Sequence, residues 1–259
     1  MINSPPKFHA IAWAHAVLQA SGMKNSAIEN QFMSDGCCYI LDGRLKTPNL
    51  FRKYLRGKSA PTQLKAKCGG MVFVDRIETK YPNTKCWLFL PLWKLLYDDP
   101  LELSQIWRIM VNTNIKNLDD FFIPTPSGGY VRTGQVTREK LINLENINFT
   151  LDALTFLLGL IRESEIRLDV RIHRMSVSRI ISLIPKFFNE PVLKEFAADF
   201  FDFLEIKFFK VSYIAPDECS EIIFTQSWRD IHPEISKLHV KKLEFEITPS
   251  NYRSLFLNI

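Results

Sequence analysis

No stretch of this chain is apolar for the ~18–20 residues that a membrane-spanning helix needs, so a soluble protein without membrane contact is expected. Cysteine is sparse and unpatterned: there are five, Cys37 and Cys38 are adjacent, and Cys68, Cys86 and Cys219 complete no C-x-x-C spacing. That argues against both a secreted disulfide framework and a zinc knuckle, and for reduced thiols in a cytoplasmic compartment. Catalytic motifs are missing as well. None of His9, His15, His173, His232 and His239 stands four residues from another with a Glu between, as a metalloprotease helix requires. Gly69-Gly70 and Gly128-Gly129 lack the further glycines and the Lys-Ser/Thr of a phosphate-cradling loop. Asp98-Asp99 and Asp119-Asp120 resemble metal-binding carboxylate pairs, but such pairs more commonly end a helix or turn, and no basic residue completes a nuclease-type site. No catalytic residue, metal or cofactor is therefore expected. Internal repeats and low-complexity tracts are also missing.

The most informative absence is of acid. From residue 43 to residue 74 there is no Asp or Glu, while Arg44, Lys46, Arg52, Lys53, Arg56, Lys58, Lys65 and Lys67 are all there. Eight positive charges exceed the +5 of the whole chain and leave −3 for the rest. A basic excess confined to about an eighth of a chain is the footprint of a surface that meets phosphate.

Apolar residues make up 46 %, enough for a folded core in 259 residues. Residues 10–21 place apolar side chains at helical spacing and Gly22 offers a stop; Trp13 and His15 interrupt the run too early for an export signal. A second helix is expected over 26–33, with Asn25 or Ser26 as its cap, then a short hairpin or irregular loop over 34–46. Thr47-Pro48 is a helix start and Gly57 a helix stop. Between them Asn49, Arg52, Lys53 and Arg56 fall at i, i+3, i+4 and i+7 on one face, with Leu50, Phe51, Tyr54 and Leu55 opposite. Most charge runs are merely solvated helix faces, but those usually mix signs, and this one has no acid to pair with. Further helices are expected over 72–80, 101–111, 149–169, 177–189 (interrupted at Pro185) and 192–210, with 88–97 as core. Residues 236–247 read as strand or helix. The Pro, Ser and Gly cluster at 123–135 is the expected domain boundary.

The stretch from Leu50 to Pro61 resembles the recognition-helix end of lambda-repressor-like helix-turn-helix domains, with Tyr54, Gly57 and Pro61 matching their Tyr, Gly and Pro. The resemblance covers at most the first 85 residues. It departs from the family in about a dozen residues over 34–46, where the family has a tight turn, and in an insertion around Cys68-Gly69-Gly70. It implies DNA reading by Asn49, Arg52, Lys53 and Arg56, and a bacterial regulatory or mobile-element and phage-defence context.

Phe is the other concentration: of 20, eight fall between Phe187 and Phe209. A helix apolar nearly all round is buried on more than one side or used in association. The expected fold is mainly α, with a helix-turn-helix-like nucleic-acid-binding domain over 1–122 and a helical interaction or dimerisation domain over 136–259. The expected function is non-catalytic binding of nucleic acid, DNA ahead of RNA, through Arg44, Lys46, Asn49, Arg52, Lys53, Arg56, Lys58, Lys65 and Lys67. A homodimer or partner-protein contact through the Phe187–Phe209 region accompanies it. The alternative is a protein-interaction subunit of a larger complex using a Phe-rich helical surface, with an enzyme of unrecognised type third.

Overall fold

The computed structural model describes residues 7–32, 39–41, 44–46, 49–61, 70–97, 100–144, 150–209, 212–214, 220–222 and 227–238. The fold is mainly α-helical, and the strands among these residues form three separate two-stranded antiparallel hairpins. Two compact units divide the chain, Met1–Leu90 with Glu190–Phe196, and Pro91–Asn189 with Ala197–Ile259. The division does not fall at 123–135. That segment folds as a hairpin inside the second unit, because its Thr, Ser and Gly residues build a turn: Thr125 N–H donates to Gly129 C=O (2.9 Å), Gly129 N–H donates to Thr125 Oγ1 (3.0 Å), and Gly128 takes φ +78°.

In the first unit, α1 (Phe8–Ser21) is the central element and is ended by Gly22 in left-handed backbone, its N–H bonded to Leu18 C=O. α2 (Asn25–Phe32) follows, then the hairpin β1 (Tyr39–Leu41) and β2 (Arg44–Lys46), α3 (Leu50–Leu55) and α4 (Gly70–Lys80), with a 3-10 turn at Lys85–Leu88. Ala10, Trp13, Ala14 and Val17 of α1 meet Ile28 and Phe32 of α2, Phe51 and Tyr54 of α3, and Phe73, Val74 and Ile77 of α4 in one core. The other side of α1 is covered too: Phe196 stacks on Phe8 (6.1 Å) and on His15 (6.3 Å). Glu78 binds the turn after α4, accepting from Asn83 N (2.7 Å), Thr84 Oγ1 (2.9 Å) and Lys85 N (2.7 Å). Desolvation pushes its pKa up, but these bonds together outweigh it and hold it below the ordinary carboxylate value.

The second unit contains α5 (Leu92–Tyr97), α6 (Leu103–Val111), the hairpin β3 (Phe122–Pro124) and β4 (Tyr130–Arg132), α7 (Arg138–Asn143), α8 (Thr150–Arg167), α9 (Val170–Asn189) and α10 (Ala197–Leu204). A π-turn at Glu205–Phe209, β5 (Ser212–Ile214), β6 (Ser220–Ile222), α11 (Trp228–Ile231) and α12 (Pro233–Leu238) complete it. Every residue of α8 from 153 to 164 is buried, so α8 is the core rod. α6 approaches it closely because residue 159 is Gly: a Cβ there would lie 2.4 Å from Met110 Cγ.

Two expected helices change shape. α9 starts at Val170 and runs through Pro185 without interruption. Proline removes the N–H that would bond Ile181 C=O, and His232 Nε2 donates to that carbonyl instead (2.9 Å). The segment 192–210, expected as one helix, breaks into a 3-10 turn at Leu193–Glu195, α10 and the π-turn. The π-turn is fixed by its neighbours: Glu205 accepts from Ser227 Oγ (2.8 Å) and Trp228 N (3.1 Å), and Lys207 donates to Leu96 C=O. Of residues 236–247, those to Leu238 are helical, in α12, and the rest lie outside the described residues.

His173 is fully buried on α9; its Nε2–H donates to Phe208 C=O (2.8 Å), with Ser164 Oγ 3.2 Å from Nδ1. Burial lowers its pKa to about 4, against the opposing pull of the Phe208 bond. Between pH 6.5 and pH 4 the unfolded chain takes a proton here that the folded chain refuses, so stability falls as pH drops through that window. From pH 7 to pH 5 the loss from this group is about 2 kcal/mol. Urea denaturation at the two pH values should show it, and His173→Gln, which cannot titrate, should shrink the difference.

Candidate nucleic-acid interface

The site is α3 and its flanks. Phe51 and Tyr54 are buried at 0 % and 2 % exposure, their rings packed edge-on against Trp13 at 5.9 and 5.6 Å. That anchoring turns Arg52, Lys53 and Arg56 outward, and all three are exposed, as is Lys58. No carboxylate among the described residues pairs with any of them. Lys85 pairs with Asp75 (2.6 Å), on the α4 side.

Both ends of α3 are tied by contacts distant in sequence. Glu29 of α2 is 3 % exposed, and its Oε1 accepts from Phe51 N–H at 2.6 Å. A buried carboxylate thereby meets an unpaired donor of the first turn, where the helix dipole favours negative charge. The far end is a Schellman closure: Lys58 N–H donates to Lys53 C=O (3.0 Å) and Gly57 N–H to Tyr54 C=O (2.9 Å), with Gly57 at φ +62°. Gly57 also lies close against the start of α1. A Cβ there would stand 2.9 Å from Ile11 Cδ1 and 3.0 Å from Lys7 N.

Asn49 does not take the place expected of it. It is exposed, but it precedes the helix in left-handed backbone (φ +48°, ψ +35°) and makes no side-chain cap bond. Of the row of four, Arg52 and Lys53 lie within α3, while Asn49 and Arg56 are the residues that cap its two ends. Arg44 and Lys46 lie in β2, one strand of the expected hairpin, with only their backbone described. Thr47, Pro48, Lys65 and Lys67 lie outside the described residues, as do Cys37, Cys38, Cys68, Cys219, Asp98 and Asp99.

One cation escaped the motif reading. Lys7, the residue before α1, donates its backbone N–H to Gly57 C=O (3.1 Å), which brings it beside the Arg56-Gly57-Lys58 turn. Its charge is the second cause, after burial, that lowers the His9 pKa to about 4.

The Phe187–Phe209 region supplies no exposed face of the kind expected. Phe187, Phe196, Phe200, Phe201, Phe203, Phe208 and Phe209 are at most 4 % exposed, because the helix breaks let successive rings turn inward. In the second unit Glu163, 1 % exposed, accepts from the buried Arg132 Nε (3.1 Å) and from the exposed Arg167 Nε (3.3 Å). An open groove of about 500 Å³ in the first unit is lined by Ala16, Gln19, Trp87, Glu190, Pro191 and Val192 among others, and brings one carboxylate and no His, Cys, Lys or Arg. Among the described residues no His, Cys, Asp or Glu group could hold a metal ion, and no helix is long and apolar enough to cross a membrane.

Comparison with protein-family models, with curated proteins and with solved structures gives no match for this chain.

Replacing Gly57 by Ala forces a side chain into left-handed backbone and against the Lys7 amide, and should lower stability by about 1–2 kcal/mol. Glu29→Ala, which strips the buried end of α3 of its acceptor, should cost about 2 kcal/mol, and Glu29→Gln less. Urea midpoints of the three variants check both.

Proposed function

We propose that this chain is a non-catalytic nucleic-acid-binding protein, DNA ahead of RNA, that contacts phosphates through α3 and its flanking segments. The observation that carries the reading is the pairing of two faces on one short helix: Phe51 and Tyr54 locked in the core, Arg52, Lys53 and Arg56 exposed without an acidic partner among the described residues. Charge distribution supports it. The first ninety residues hold thirteen Lys and Arg against five Asp and Glu. Phosphate neutralisation by such cations releases condensed counterions, the main source of affinity for a nucleic-acid backbone. A bacterial regulatory or mobile-element and phage-defence setting rests on the helix-turn-helix resemblance at Tyr54, Gly57 and Pro61 alone, and a cytoplasmic one on the unpatterned cysteines.

The test is an electrophoretic shift with a DNA duplex at two salt concentrations. Contact with about five to eight phosphates gives a log–log salt slope of roughly −4 to −7. Arg52→Ala and Arg56→Ala should each weaken binding while leaving the thermal melt unchanged, since both side chains are exposed. Binding that ignores the double variant would refute the assignment.

A further inference from the structure

Resting on the proposed function, we infer that the α3 surface grips the phosphate backbone of a duplex without reading its bases, and that Lys7 is part of the grip. Three features of the site carry this. First, α3 has six residues, about 9 Å of rod, so little of it can enter a groove while its ends stay tied to α1 and α2. Second, its leading end is occupied: the Glu29 carboxylate is bonded to Phe51 N–H, so negative charge sits where a recognition helix would present its first turn to DNA. Asn49, the amide that would pair with adenine, stands before the helix in left-handed backbone and not in its regular turns. Third, the cations gather at the trailing end, where Lys53, Arg56 and Lys58 flank the Gly57 closure and the Lys7 amide is tied to Gly57.

Arg and Lys read sequence only where they reach guanine O6 and N7 in the major groove; held at the backbone by so short a helix, they neutralise phosphates and carry no sequence code. The same geometry separates duplex from single strand. Single-strand binders stack bases on exposed aromatic rings, and the two rings of α3, Phe51 and Tyr54, are both committed to the core.

Fluorescence anisotropy with the full chain distinguishes the outcomes. The probes are several 20-base-pair duplexes of unrelated sequence, their separated strands, and a duplex pool subjected to selection. The inference expects all duplexes within about three-fold of one another, single strands weaker, Asn49→Ala indistinguishable from the parent, and Lys7→Gln lowering the salt slope by about one. Lys7→Gln keeps the backbone bond to Gly57, so its fold is preserved, and circular dichroism verifies that. A duplex selected at ten-fold or better preference would overturn this inference and leave the proposed function standing. So would an Asn49→Ala loss as large as that of Arg52→Ala, or tighter binding to single strands. A Lys7→Gln slope equal to the parent's removes Lys7 from the grip. Failure of every duplex to bind at low salt would overturn both.

Discussion

The edge-on packing of Trp13 against Phe51, Tyr54 and Phe73 is the constraint from which the rest of the first unit follows. A helix of six residues is far below the length at which helices hold together alone in water, so tertiary burial and not propensity keeps α3 in place. Burying two large rings relative to leaving them exposed contributes on the order of 2 kcal/mol each. That anchoring fixes which way the helix faces. Once Phe51 and Tyr54 are inward, a period of 3.6 leaves Arg52, Lys53 and Arg56 outward, and the orientation of the cations is a by-product of the aromatic core.

The second unit takes up part of its charge inside the fold. Glu163 is almost wholly buried against Arg132, Arg167 reaches it from the surface, and Arg162 pairs with Glu165 at 2.8 Å. Taking such ions from water is offset only when partners and further hydrogen bonds are in place, so these residues serve the fold. Arg179 does comparable work, donating to Leu141 and Ile142 carbonyls at the end of α7. On α3 no ion pair and no carbonyl acceptor among the described residues engages Arg52, Lys53 or Arg56.

Much of the helical pattern was legible because local signals decide it. Gly22 and Gly57 end α1 and α3 in left-handed backbone, and the apolar spacing of α1, α2, α4, α6 and α8 survives with ends shifted by a few residues. What stayed hidden is what distant residues supply. Glu29 meets α3 from 22 residues away, Lys7 joins Gly57 from 50 positions upstream, and His232 rescues the carbonyl that Pro185 leaves open, so a helix that local rules would break runs on. The same holds in reverse for 192–210, whose apolar pattern favours one rod. The Leu96 carbonyl of α5, the His173 ring of α9 and the Ser227-Trp228 turn fasten its last turn as a π-turn instead. At 123–135 the Pro, Ser and Gly content belongs to a hairpin turn and not to the expected boundary, because a hairpin turn and a linker share a composition.

Magnitudes decide whether fold stability alone explains the α3 cations. Arg52 and Lys53 lie in the last turn, where the helix dipole favours positive charge by about 0.3–1 kcal/mol when exposed and unscreened. Against that, Arg52 and Arg56 are i,i+4 like charges, which oppose each other by about 0.2–0.5 kcal/mol, and Lys53 and Lys58 add to the same field. The two effects nearly cancel, and a single cation at the C-terminal end would capture most of the dipole term without the repulsion. Stability therefore gives little reason for a cluster with no acid from residue 43 to residue 74. A polyanion laid across the cluster turns the repulsion into attraction, and the gain is largest where the cations are already held in one direction by the ring packing behind them.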